Sequence, residues 1–297
     1  MKIVANGMQI EVEDSGPGPA GAPRPVVLLV MGLGMQLVAW PPELVQGLLA
    51  AGYRVIRHDN RDVGLSQRME ALGKPNLLWA GLQHKLGFAP RPPYSLDDMA
   101  ADALGVLDAL GVSQAHVVGV SMGGMIAQRM ALAAPQRVLS LTSVMSSSSA
   151  PGLPQARPEV MAALLRRPSG HNRQAVVDHY VRLFRVIGSP GFVTSEAELR
   201  QRIAQAAERG FYPAGTLRQM LAVMADSARA AQLAQISVPT LVFHGQDDPL
   251  LPYACGEDTA RRIPGARLIG VAGMGHDLPG PVVDRLLAAL IPHFQAA

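Results

Sequence analysis

Gly119-Val120-Ser121-Met122-Gly123 sets a serine between two glycines, each two residues away. An apolar run at residues 115–120 precedes it, and an apolar helical pattern at residues 122–134, stopped by Pro135, follows. That strand-turn-helix setting is what a G-x-S-x-G nucleophile requires. The sharp turn lifts the hydroxyl above the end of a sheet, and the missing side chains at 119 and 123 let strand and helix approach. A serine hydroxyl is a poor nucleophile until a base takes its proton, and the base needs an acid to orient it. Two later phrases supply these groups. Residues 240–243 read as a buried strand ending at His244-Gly245, after which Gln246-Asp247-Asp248-Pro249 offers two carboxylates. Gly273-Met274-Gly275-His276-Asp277 follows a strand pattern at residues 267–271 and precedes the last helix. The spacing points to nucleophilic acyl chemistry with Ser121 as nucleophile, His276 as base and Asp247 or Asp248 as the orienting acid.

Such groups meet only if the elements carrying them end on one edge. Residues 26–30, Val-Val-Leu-Leu-Val, are apolar on both faces, and so are the runs at 54–56, 115–120, 138–144 and 240–243. Strands without alternation belong to sheets covered on both sides, hence to parallel strands joined by helices. Helical patterns at 42–51, 96–110, 122–134 and 281–293 lie between or after them, and Ser95 with Asp98 approximates a capping box for the second. The alternation predicts a doubly wound, mostly parallel α/β sheet. A short alternating strand at residues 8–12 precedes it. The pattern lapses between 147 and 234, a stretch of Ala-, Leu-, Arg- and Met-rich helices, so residues 1–146 and 235–297 are expected to form the core and 147–234 an inserted helical cap. Residues 68–93, with Trp79 and several prolines, form a second irregular excursion on the same edge.

Composition narrows the function classes. With 297 residues, 48% hydrophobic and 16% charged, the chain is built to bury a large core rather than to stay disordered. The 26 basic residues against 23 acidic ones leave +3, and the basic residues cluster no further than Arg166-Arg167 and Arg261-Arg262, so no stripe for a phosphate backbone forms and no nucleic-acid partner is expected. Cys255 is the only cysteine and is read as a packing residue. The N-terminus turns acidic at Glu11, Glu13 and Asp14, and the longest charge-free apolar stretch, 26–40, is broken by Gly32 and Gly34. Neither a signal peptide nor a membrane span is expected, and the location inferred is cytoplasmic.

The order Ser121, Asp248, His276 resembles that of nucleophile, acid and base in the α/β-hydrolases, and the whole chain is similar to that superfamily. Local phrases resemble bacterial esterases related to aclacinomycin methylesterase: Leu28-Leu29-Val30-Met31-Gly32, Val55-Ile56-Arg57-His58-Asp59-Asn60-Arg61-Asp62, His116-Val117-Val118-Gly119 and Gly273-Met274-Gly275-His276. The resemblance implies several roles. The family's G-x-x-D-x-x-x-P phrase matches Gly245, Asp248 and Pro252, which favours Asp248 over Asp247. Its oxyanion hole corresponds to the backbone amides of Leu33 and Met122. Met31 stands where the wider superfamily often has His, and the methylesterases it resembles are similar in having Met there. A serine carboxylesterase acting on a small-molecule ester, possessing no cofactor and no metal, is the implied activity. The same triad elsewhere in the fold serves lactones, thioesters, carbon-carbon bonds or cofactor-free perhydrolysis, whereas Ser at the elbow argues against the epoxide-hydrolase and dehalogenase branches.

Two other classes compete. Gly32-x-Gly34 after a strand, with Asp59 closing the next, suggests dinucleotide binding, but Leu37 replaces the third glycine and Pro41-Pro42 delays the helix. A catalytically silent hydrolase fold is the other. His116 and His244 are read as structural, while His84, His171, His179 and His293 show no partner spacing, and no H-E-x-x-H phrase is present. Asp59, Arg61 and Asp62 are expected to form an ion-pair turn. Met145, Met161, Met220, Met224, Leu183, Phe184 and Phe211 are candidate lining of the cap's apolar inner face.

Overall fold

A computed structural model of the chain describes residues 1–18, 21–77, 79–81, 90–166, 168–170 and 172–297, so His84 and His171 lie outside the described residues. Its strands are β1 (Lys2–Ala5), β2 (Met8–Asp14), β3 (Val26–Val30), β4 (Arg54–His58), β5 (Ala115–Val120), β6 (Val138–Val144), β7 (Thr240–Gly245) and β8 (Arg267–Val271). They form one sheet in the order β1-β2-β4-β3-β5-β6-β7-β8. From β4 to β8 every pairing is parallel, while β1 and β2 add antiparallel at one edge. The β1–β2 hairpin was not expected from the sequence. Its turn is Asn6-Gly7, with φ of 50° and 73°, the left-handed pair that a two-residue hairpin needs.

The two-sided apolar runs do what their pattern requires. Val26, Leu28 and Val30 of β3 enter one core with α2 (Leu96–Ala109) and α3 (Met122–Ala133). Val27 and Leu29 enter the other, with α1 (Pro42–Ala50) and α10 (Gly280–Gln295). Successive side chains of a strand point to opposite faces, so a sheet with helices on both sides wants no polar positions. Ser95 caps α2 as a full capping box: its hydroxyl accepts from the Asp98 N–H at 3.1 Å, and the Asp98 carboxylate accepts from the Ser95 N–H at 2.8 Å. Between β6 and β7 the chain forms α4 (Pro158–Leu165), α5 (Arg173–Ile187), α6 (Glu196–Arg209), α7 (Pro213–Ala225) and α8 (Arg229–Gln232), and α9 (Tyr253–Arg262) joins β7 to β8. Among the described residues no helix is long and apolar enough to cross a membrane.

The expected Asp59-Arg61-Asp62 ion-pair turn is corrected by the structure: each side chain pairs with a distant partner instead. Arg61 makes a two-pronged pair with Asp102 of α2 at 2.6 and 2.7 Å. Asp62 takes Arg218 of α7 at 2.7 and 2.9 Å, both ends almost fully buried. Asp59 pairs with Arg209 of α6 and also accepts the N–H groups of Leu37 and Leu65 at 2.7 and 2.9 Å. Planar guanidinium forks reach partners that neighbouring residues on a tight turn cannot offer in the right plane. Asp59 is therefore fully engaged inside the protein, and the ribose contact of the dinucleotide reading has no acceptor left.

Two buried histidines give the fold an acid limit. His58 has no exposed surface and no hydrogen-bond partner on either ring nitrogen, and burial pushes its pKa from 6.5 down to about 4. His116, bonded to the Ser140 hydroxyl at 2.8 Å, is pushed down to about 4 by burial and secondarily by His293. A histidine with a depressed folded pKa takes up its proton more readily when unfolded, so its stabilisation is intact above pH 6.5 and is lost as pH falls towards 4. The loss amounts to about 3 kcal/mol apiece at the low end. The urea midpoint should drop between pH 7.5 and 4.5, and an unchanged midpoint would contradict this account.

Candidate active site

β5 is buried throughout and delivers Ser121 to the end of the sheet. There the backbone turns with φ of 56° and ψ of −122°, a conformation rare for a residue with a Cβ, before α3 begins at Met122. The flanking glycines are obligatory. A Cβ on Gly119 would lie 2.1 Å from the Gly123 carbonyl oxygen, and one on Gly123 would lie 2.0 Å from that of Val30. The turn is braced from β6: the Ser121 N–H donates to the Val144 carbonyl at 2.9 Å, and the Ser146 hydroxyl donates to the Ser121 carbonyl at 2.7 Å.

The three residues singled out in the sequence converge here. Ser121 Oγ is 3.0 Å from His276 Nε2, and His276 Nδ1 is 2.7 Å from Asp248 Oδ2. The other Asp248 oxygen accepts the N–H groups of Leu250 and Leu251, each at 2.9 Å, which fixes the carboxylate with one oxygen facing the imidazole. Asp247 takes a different role. Its carboxylate is exposed and accepts the Gly273 N–H at 2.7 Å, tying the acid loop to the histidine loop without touching the imidazole. His244 is structural, as expected: burial pushes its pKa down, and Nε2 donates to the Leu251 carbonyl at 2.8 Å.

The histidine loop is held by a segment that sequence reasoning did not connect to it. The His276 N–H donates to the Ile187 carbonyl at 2.7 Å, and the Gly275 N–H to Ser189 Oγ at 2.9 Å. The Ser189 hydroxyl in turn donates to Asp277, whose pKa is raised by burial. Nothing in the sequence pairs residues 187–189 with 275–277, because the contact spans almost ninety positions. On the other side of Ser121, the Leu33 and Met122 N–H groups make no hydrogen bond to the described residues. Gly32 packs on the serine so closely that a Cβ there would lie 3.2 Å from Ser121 Cβ.

A cavity of about 530 Å³ opens over Ser121 and His276. Met145, Leu183, Phe184 and Phe211 line it, as their sequence positions suggested, but Met161, Met220 and Met224 do not. Met161 is exposed on α4. Met220 and Met224 lie about one and two turns along α7 beyond Thr216, the residue by which that helix meets the cavity, and so pass its end. Charged side chains enter the lining at Glu43, Glu198 and Arg202, the last two paired at 2.7 Å.

The chain is similar to known proteins over nearly all of its length. Rhodomycin D methylesterase DauP of Streptomyces sp. (strain C5) is 34% identical over 299 residues, covering 94% of this chain and 93% of that protein. Rhodomycin D methylesterase DnrP of Streptomyces peucetius is 33% identical with the same coverage. A meta-cleavage product hydrolase from Pseudomonas fluorescens IP01 (CumD) superposes with a TM-score of 0.74 at 21% identity over 100% of this chain and 97% of that one, a likeness of fold. The α/β-hydrolase-fold pattern matches residues 25–279, which hold the six parallel strands β3 to β8 and the turns that carry Ser121, Asp248 and His276, and the chain belongs to that family.

Proposed function

We propose that the protein is a serine carboxylesterase. Ser121 Oγ attacks the acyl carbon while His276 Nε2 takes its proton, and the charge on the former carbonyl oxygen is held by the Leu33 and Met122 N–H groups. The proton passes from His276 to the departing alcohol, leaving an acyl ester on Ser121. A water, deprotonated by His276, then attacks that ester, and the acid leaves as the proton returns to Ser121. Asp248 holds the imidazole with Nδ1 protonated and offsets its transient positive charge. The observation that carries this reading is the 3.0 Å and 2.7 Å chain from Ser121 through His276 to Asp248 on a strained turn.

Residues 147–234 act in this proposal as a cap that encloses the acyl group. A mostly apolar cavity of about 530 Å³ suits a bulky apolar acid, and similarity to two methylesterases favours a methyl or other small alkyl ester of it. Hydrolysis of p-nitrophenyl acetate, butyrate and octanoate, together with labelling by a fluorophosphonate, tests the reading. Turnover of these esters with the label found on Ser121 is expected, and the chain-length preference reports the size of the acyl site. Folded protein that neither turns over nor labels would refute it.

A further inference from the structure

Leu33 lies between two glycines, Gly32 and Gly34, so the peptide carrying its N–H has little intrinsic reason to hold one orientation. Yet the peptide planes on both sides of it are clamped by buried amides. Asn60 Nδ2 donates to the Met31 carbonyl at 2.9 Å. Gln219 Oε1, on α7, accepts the Gly34 N–H at 2.8 Å. The two clamps are joined, because Gln219 Nε2 donates to the carbonyl of Arg61, the neighbour of Asn60, at 2.8 Å. Gln219 has no exposed surface, and both ends of its amide are used. Between the clamps, the Gly32 carbonyl turns to accept the Met35 N–H at 3.2 Å. In a trans peptide the N–H points opposite to the carbonyl, so this sets the direction of the Leu33 N–H. Gly34 itself has φ of 66°, and α7 packs so tightly on it that a Cβ would lie 2.7 Å from Thr216 Oγ1.

We infer that Gln219 is a positioning residue for the oxyanion site: by holding the Gly34 N–H from the inserted helices, it keeps the Leu33 N–H aimed at the oxygen that becomes negative. The inference rests on the esterase reading above. Without the acceptor at 219, the Leu33-Gly34 peptide loses the bond that orients it, the turn from the Gly32 carbonyl to the Met35 N–H is held from one side only, and the Leu33 donor is present but misaimed. Substrate binds before that charge exists, so the loss falls on turnover rather than on ground-state affinity.

The test compares the wild type with Gln219→Met, which removes the acceptor. For each, kcat and KM on p-nitrophenyl butyrate are measured along with inhibition by an alkyl trifluoromethyl ketone, whose adduct with the serine carries an oxyanion. Gln219→Met is expected to lower kcat by about 10- to 100-fold, less than the 10² to 10³ for deleting a donor outright, with KM within about twofold of wild type. Ketone affinity should fall by the same factor. If Gln219→Met does not fold, Gln219→Asn, one methylene too short to reach, makes the same comparison. Folded Met or Asn variants with wild-type kcat and ketone affinity overturn the inference, and so does a loss carried by KM with kcat unchanged, while Ser121-dependent turnover by the wild type stands. Wild-type turnover that survives Ser121→Ala overturns this inference and the esterase reading together.

Discussion

Replacing Ser121 with alanine is expected to lower kcat on p-nitrophenyl butyrate by about 10⁶, an effect that only the loss of its base should match. The change removes one oxygen and little else. The Cβ against which Gly32 packs remains, the φ of 56° is as accessible to alanine as to serine, and the braces from Val144 and Ser146 use the backbone of residue 121. Thermal stability should therefore stay close to wild type, which separates lost chemistry from lost fold. Residual turnover should exceed the rate in water by about 10³ to 10⁴, because the oxyanion donors and the cavity still bind the ester and favour direct attack by water. His276→Ala should fall to a similar level, and the double variant should be no worse than either, since nucleophile and base act as one unit. Active-site titration with a fluorophosphonate guards against contaminating wild type. An alanine variant retaining more than a few per cent of wild-type kcat would end the proposed mechanism.

The adjacent carboxylates give the second large effect. Asp248→Asn should reduce kcat by about 10⁴ and Asp247→Asn by no more than a few fold. Both N–H donors at Asp248, from Leu250 and Leu251, point at Oδ1, so an asparagine there sets its carbonyl oxygen on that side and turns its NH₂ towards His276. That NH₂ donates to Nδ1, which forces the imidazole proton onto Nε2 and leaves no lone pair to accept the proton of Ser121. Asp247 has one bond, to the Gly273 N–H, which an asparagine oxygen also accepts. Steady-state kinetics on the two purified variants, with melting curves to show that both fold, decide the matter. A reversed ranking would assign the orienting acid to Asp247.

The serine elbow was legible because its chemistry is local. Gly119, Ser121 and Gly123 fall within five residues of one strand-turn-helix unit, and a Cβ on Gly119 would strike the Gly123 carbonyl of that same unit, although the carbonyl that forbids one on Gly123 belongs to Val30 of the neighbouring strand. The parallel sheet was legible for a similar reason: two-sided burial writes itself as unbroken apolar runs at 26–30 and 115–120. The hairpin at residues 2–14 went unread although Asn6-Gly7 is a strong turn signal, since its strands are short and one face of β1 is open to solvent. The Asp59-Arg61-Asp62 cluster was misread because adjacency suggested mutual pairing, whereas Asp102, Arg209 and Arg218 lie 41 to 156 residues away and become neighbours only after folding.

By itself the sequence determined the family, the α/β class, the identity of Ser121 and His276 as partners and, through a family phrase, the preference for Asp248. Each of these is carried by residue types at short spacing, where backbone geometry converts sequence directly into position. Only the tertiary structure decided which carboxylate reaches the imidazole, which side chains of residues 147–234 face the cavity, and how Ser189 and Gln219 grip the loops at Gly275 and Gly34. Those contacts join segments 86 to 185 residues apart, and nothing in local propensity or periodicity encodes them, because they exist only once helices from distant parts of the chain pack over the same sheet edge.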